Sequence, residues 1–170
     1  MTTELCGKHL TLRNTGIDAA EELLPVFNGD EQFNVWSGYG PTLSLAEVCS
    51  DILETQELPD GMIWQIRTRT GKLVSVAETA TLHPPHGAWI SLLLIQREFQ
   101  SLGYGSEAAA LLEGYLFSSL EITQIGLAVL VKNAPALAFW KKRDYIQRSS
   151  THDTHGNDVY LHFLTRPVSS

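Results

Sequence analysis

The stretch Trp89-Ile90-Ser91-Leu92-Leu93-Leu94-Ile95-Gln96-Arg97-Glu98-Phe99-Gln100-Ser101-Leu102-Gly103-Tyr104-Gly105-Ser106-Glu107-Ala108-Ala109-Ala110-Leu111-Leu112 decides how the rest of the chain is read. Its opening, as far as Ile95, is an apolar run that suits a strand covered on both faces. A polar loop with Gly103 and Gly105 comes next. From Ser106 and Glu107 onward, Ala108, Leu111, Leu112, Tyr115 and Leu116 recur at helical spacing. Strand, glycine loop and helix start together present main-chain N–H groups that have no partner inside the helix. About half a positive charge gathers at such an end. Glycine lets the backbone come close to a ligand there. The segment therefore reads as an anion site, suited to a phosphorylated cofactor.

Outward from this segment the chain alternates between strands and helices. Lys8 to Arg13 alternates as a first strand, and Thr15 or Asp18 can cap a helix running to Phe27. Asn28 to Pro41 reads as a loop carrying Phe33, Trp36 and Tyr39. Ser44 and Glu47 form a capping box for a helix that ends before Pro59. Met62 to Thr68 and Lys72 to Leu82 are strands joined by a Thr70-Gly71 hairpin. His83 to Gly87 breaks the chain before the central strand. Ile125 to Val131 is a fifth strand, Ala134 to Lys142 a short helix, and Tyr145 to Ser150 with Val159 to Leu164 a closing hairpin. The expected order is β-α-α-β-β-β-α-β-α-β-β. It is an α/β mixture whose first strands are antiparallel, unlike a repeated βαβ fold.

The 170 residues suffice for one domain with a core of its own, and no linker or repeat divides residues 1 to 170. Cys6 and Cys49 are two lone thiols at no metal spacing, which favours a reducing compartment over a disulfide framework. No secretory leader or membrane-spanning run is visible, so a cytoplasmic protein is expected. A net charge of −7 argues against a nucleic-acid partner. The same charge agrees with a cationic substrate such as an amine.

The hexapeptide Gln100-Ser101-Leu102-Gly103-Tyr104-Gly105 resembles the Q/R-x-x-G-x-G/A motif of the GNAT acetyltransferases, and it lies directly after the fourth expected strand, as it does in that family. Asn133-Ala134-Pro135-Ala136-Leu137-Ala138-Phe139-Trp140 is similar to the family's second signature, an Asn opening a short helix after the next strand. The resemblance covers nearly the whole chain and implies a splayed central sheet flanked by helices. It also implies acetyl-CoA as co-substrate and an N-acetyltransferase acting on a primary amine of a small molecule or peptide. On that resemblance Leu93, Leu94 and Ile95 offer main-chain groups to the pantetheine arm. Ser101, Leu102, Gly103, Tyr104, Gly105 and Ser106 wrap the pyrophosphate, Gln100 braces their loop, and Asn133 bonds the pantetheine from the other side. Asn133 is equally a good helix cap.

Gly103-x-Gly105-x-x-Ala108 also satisfies a dinucleotide fingerprint. Its context does not: seven residues separate Ile95 from Gly103, and no βαβαβ unit surrounds it.

The family's catalytic residues do not all carry over. Trp140 stands where many members have a Tyr that protonates the departing thiolate, and an indole N–H is no useful acid. Ala128 stands where the branch acting on protein N-termini has a Glu base. Glu78 is the remaining candidate base, drawn toward an apolar strand face with Val74, Val76, Ala80 and Leu82, where desolvation raises its pKa. A structural ion pair of Glu78 with Arg67 or Arg69 across the hairpin is the competing reading. His83 and His86 are further candidates, and an amine attacking without any enzymic base stays open. His83-x-x-His86 and His152-x-x-His155 do not supply the three or four ligands a zinc site needs, so no metal is expected. Phe33, Trp36 and Tyr39 fit either an acceptor pocket or a small hydrophobic cluster. Two functions remain open: a working transferase, or an acyl-CoA-binding module that has lost turnover. The acceptor and the oligomeric state, monomer or homodimer, are not legible.

Overall fold

The computed structural model describes residues 2–82 and 87–167. The strands are β1 (Glu4–Cys6), β2 (Leu10–Thr15), β3 (Met62–Thr68), β4 (Leu73–Leu82), β5 (Gly87–Ile95), β6 (Gln124–Leu130), β7 (Ile146–His152) and β8 (Asp158–Thr165). The helices are α1 (Ala20–Phe27), α2 (Glu31–Trp36), α3 (Leu45–Glu57), α4 (Tyr104–Ser119) and α5 (Ala134–Lys142). One sheet holds the strands in the order β1-β2-β3-β4-β5-β6-β8-β7. Among the described residues, only β5 and β6 pair in parallel. The result is a mixed α/β fold with helices on both faces.

The parallel pair is what shapes the site. Its register covers Gly87↔Gln124, Ala88↔Ile125 and Trp89↔Gly126, and then stops. A Cβ at Gly126 would run into the rings of Trp89 and Phe163, so the bare glycine lets Trp89 lie across β6. Beyond Trp89, β5 keeps β4 as its partner but has no β6 neighbour on its other side. The sheet splays there.

Three apolar clusters hold the layers. Leu23, Val26, Val48, Ile52, Ile63 and Val76 pack α1 and α3 on one face. Leu10, Leu12, Trp64, Val74, Ala77 and Leu112 pack α4 on the other. Ile125, Leu127, Trp140 and Tyr145 join α4 and α5 to β6. β4 runs between them with every residue from Val74 to Thr81 buried, as expected for a central strand covered on both faces.

Several sequence expectations need correction. Asn28 to Pro41 is not all loop: Asp30 caps α2 by accepting the Phe33 amide at 3.2 Å, and Asn34 ties the helix down by donating to the Phe27 carbonyl at 3.0 Å. An extra strand, β1, pairs with β2. Neither Thr15 nor Asp18 caps the first helix; a 3-10 turn over Ile17–Ala19 leads into α1 with no side-chain cap. Val74 does not share Glu78's face. Ser75 pairs with Ile66 and Leu73 with Arg67, so Val74 is an extra residue at a bulge and turns to the α4 side. The capping box of α3 is present, with Glu47 N–H donating to Ser44 Oγ at 3.1 Å and Ser44 N–H to Glu47 Oε1 at 3.0 Å.

Candidate active site

Glu78 lies in the middle of β4, opposite Ile63 on one side and Leu92 on the other. It is 3% exposed. The pairing Glu78↔Leu92 is succeeded by Thr79↔Ile90, which leaves Ser91 as an unpaired extra residue on β5. Such a bulge bends its strand and turns backbone groups out of the ladder. Ser91 Oγ donates to the Glu78 carbonyl at 3.4 Å. The break in the ladder therefore sits beside the buried carboxyl.

Neither arginine of the hairpin reaches that carboxyl. Arg67 pairs with Glu22 and donates to the Gly71 carbonyl, while Arg69 donates to the Gly7 carbonyl. The ion-pair reading of Glu78 is thus overturned, because the hairpin register sets Ile63 across from it and carries both arginines to the far end. The partners of Glu78 come instead from α3. Thr55 Oγ1 donates to its Oε2 at 2.5 Å, and the Asp51 carboxyl lies within hydrogen-bonding reach. Burial, then the charge of Asp51, pushes the Glu78 pKa well above the ordinary carboxylate range. Burial also raises Asp51. Two carboxyls this close hold one proton between them more readily than two negative charges.

The pair opens into a cavity of about 240 Å³ between α2, α3 and the β4–β5 ladder. Phe27, Phe33, Leu43 and Leu94 line its apolar walls, and Tyr39 and Glu47 stand with them. Phe33 and Tyr39 thus fall where an acceptor pocket would need them, whereas Trp36 is not among the lining residues. The sequence alone does not single out Asp51. Its signal is its place one helical turn before Thr55 on α3, which becomes informative only once α3 is packed over β4.

On the other side of the splay, Gly103 caps α4 in the left-handed region at φ +86°. A Cβ there would meet nothing within 4 Å. Ser101 also has positive φ, +63°. The first helical bond of α4 runs from Glu107 N–H to the Gly103 carbonyl at 3.2 Å, so the amides of Tyr104, Gly105 and Ser106 precede the helical hydrogen-bond ladder. Gln100 Nε2 donates to the Ile95 carbonyl at 2.9 Å and to Asp30 Oδ2 at 3.1 Å, tying the loop to β5 and to the cap of α2. Gly105 has a packing reason of its own: a Cβ there would press on the Phe139 ring at 3.3 Å. Glu107 is turned to the β1–β2 connection, accepting the His9 and Leu10 amides and pairing with the His9 ring. Leu93 and Leu94 lie on the splayed part of β5, half-buried and buried respectively. The Ile95 carbonyl is already taken by Gln100. An unladdered strand edge facing a free helix N-terminus is a fit for an extended carrier ending in a diphosphate.

Asn133 caps α5, its Oδ1 accepting the Ala136 amide at 3.1 Å. Trp140 is buried and stacks edge-on with Phe139 and Tyr145, so it belongs to the core. Tyr145 does not replace the missing acid. Its hydroxyl donates to Glu113 Oε2 at 3.0 Å, and burial pushes its pKa far up. Ala128 is exposed on β6. His83 and His86 lie outside the described residues. His152 pairs with Asp158 at 2.9 Å, and the His155 ring meets Tyr39 edge-on with centroids 5.0 Å apart. Among the described residues no group of three or more potential metal ligands converges.

With the splayed parallel pair, the glycine-capped α4 and the Asn-capped α5 described, comparisons with known proteins give the family of the fold. The chain belongs to the acetyltransferase (GNAT) family, whose model matches residues 30–145. It is an acyltransferase family that uses acetyl-CoA. A search of curated proteins finds no match. Among solved structures, a GNAT-family acetyltransferase from Bacillus anthracis superposes with TM-score 0.78 at 15% identity, covering 96% of this chain and 98% of its own. An acetyltransferase from Thermus thermophilus gives 0.76 at 19% identity, covering 96% of this chain and 100% of its own. Spermidine N-acetyltransferase from Vibrio cholerae, in complex with CoA and spermine, gives 0.76 at 16% identity, covering 94% of this chain and 96% of its own. At such identities the likeness is one of fold. No helix among the described residues is long and apolar enough to cross a membrane.

Proposed function

We propose that this chain is an N-acetyltransferase that moves an acetyl group from acetyl-CoA to a primary amine by direct attack in a ternary complex. The observation that carries the reading is the placement of Glu78: a buried carboxyl beside the Ser91 bulge, where the acceptor cavity meets the splayed edge of β5. The amides of Ser101 to Ser106 and the cap of α4 suit the diphosphate, and the main chain of Leu93 to Ile95, apart from the Ile95 carbonyl held by Gln100, suits the pantetheine arm together with Asn133. Acetyl-CoA supplies an activated thioester. The chain's own residues do the rest.

An alkylamine arrives protonated, since its pKa is near 10. Glu78, once it has given up the proton it shares with Asp51, accepts the proton of the amine and frees the nitrogen lone pair. Thr55 holds one Glu78 oxygen in place, so the carboxyl is oriented before the amine enters. The backbone turned out at Ser91 lies where N–H groups can meet charge developing on the attacked carbonyl. Trp140 stands at the place of the family's Tyr and Tyr145 is held by Glu113, so the thiolate leaves by taking a proton from water or from the amine itself. Cys6 and Cys49 have no part in this route.

Thiol release from acetyl-CoA, monitored across a panel of primary amines, tests the proposal. Turnover that requires an amine is the expected result. Tight acetyl-CoA binding with no turnover on any acceptor would favour a binding module that has lost catalysis.

A further inference from the structure

The lining of the acceptor cavity narrows the kind of amine it can hold, an assignment that rests on the acetyl-transfer reading above. The inner end of the cavity is a pair of carboxyls, Asp51 and Glu78, with Glu47 also on the lining, and no Lys, Arg or His stands among the described lining residues. Asp51 Oδ2 is buried, and the side-chain partner within reach of the Asp51 carboxyl is Glu78, through the proton the two share. Once that proton is lost the buried acceptor has no donor, a cost that ends when a ligand brings one. Of the hydroxyls on the lining, Thr55 donates to Glu78 Oε2 and Ser91 to the Glu78 carbonyl, while Tyr39 and Ser37 stand with them without a bond to Asp51. The Asn34 amide is turned to the Phe27 carbonyl. Burial raises both carboxyls of the pair, and an ammonium placed between them would favour their charged forms.

We infer that the cavity takes a small primary amine carrying no carboxylate, its ammonium held by Asp51 and Glu78 and its apolar body against Phe27, Phe33 and Leu94. A carboxylate on the carbon bearing the amine would be drawn in beside Asp51 and Glu47, with no cation on the described lining to meet it. An amide carbonyl at that position, as in a peptide N-terminus, would add an acceptor beside the carboxyls, where the Thr55 and Ser91 hydroxyls are already committed. Asp51 is then the residue that determines specificity: it binds the acceptor and positions Glu78, without itself taking the proton.

Phenethylamine, phenylalanine and phenylalaninamide form a matched series that differs only at the carbon bearing the amine. Calorimetry on CoA-saturated protein and initial rates with acetyl-CoA read the series in two independent ways. Phenethylamine is expected to bind at least about tenfold more tightly than either relative, and to show the highest kcat/KM. Asp51→Asn should raise the KM for phenethylamine about tenfold or more, with a smaller change in kcat, while the protein keeps its melting temperature or gains. Equal or tighter binding of phenylalanine or phenylalaninamide would overturn the inference, as would an unchanged KM in Asp51→Asn or no binding of phenethylamine. The parent reading fails separately: it falls if acetyl-CoA itself does not bind, whereas acetylation confined to carboxylate-bearing or peptide amines removes only the acceptor assignment.

Discussion

Glu78 is held where a charged carboxylate is least favoured, and that has a thermodynamic sign. Its folded pKa, raised by burial and by Asp51, means that the native state binds protons more strongly than the unfolded chain. The stability contributed by the protonated form is fully present below the ordinary carboxylate value of 4.5 and is lost as pH rises through the folded pKa. Glu78→Gln removes that loss while keeping an oxygen for Thr55. The melting temperature of the variant should therefore exceed that of the parent at about pH 8 and approach it near pH 5. Activity should move the other way. The parent's kcat/KM should climb with pH as Glu78 loses its proton, and the variant should lack that limb and fall about 10²- to 10⁴-fold. A pH–rate profile that the substitution leaves unchanged would remove Glu78 from the mechanism. The strand alternation around Glu78 is legible in the sequence. Its pairing with Asp51 is not, because residues 27 apart become neighbours only through the packing of α3 on β4.

At the scale of elements, α4 and its loop carry the proposed anion site. Gly103 is required by its backbone and not by its neighbours: φ is +86°, and a side chain would point into open space. Gly103→Val should cost about 1–2 kcal/mol or more from the left-handed conformation, lowering the melting temperature by about 2–4 °C per kcal/mol. It should also weaken acetyl-CoA binding at least about tenfold, since the new side chain fills the space in front of the helix start. Calorimetry on the folded variant checks both parts, and unaltered affinity would contradict the loop's role. Elements with strong local signals are readable in advance. The Ser44 capping box marks α3, and Asn133 with Pro135 marks α5. α2 escapes such a reading because its six residues give no helical period, although Asp30 three places before Phe33 is a usable cap signal. The bulges at Val74 and Ser91 are invisible in the sequence, since a bulge is a property of two strands and a sequence displays one at a time.

Across the whole molecule, the proposed function rests on one interruption in the sheet. β5 and β6 pair for three residues and then part, and the gap faces the α4 N-terminus on one side and the Glu78 cavity on the other. Gln100 links the two halves, since it touches both the β5 end and the cap of α2. The departures from the family pattern, Trp140 in the core and Ala128 on the exposed face of β6, leave this geometry intact and concern the protons alone. The most direct test is a crystal structure of the chain with acetyl-CoA bound. The account predicts diphosphate oxygens within hydrogen-bond distance of the Gly103 to Ser106 amides, and the acetyl carbonyl at the Ser91 bulge facing Glu78. A carrier bound elsewhere, or an acetyl group turned away from Glu78, would contradict it.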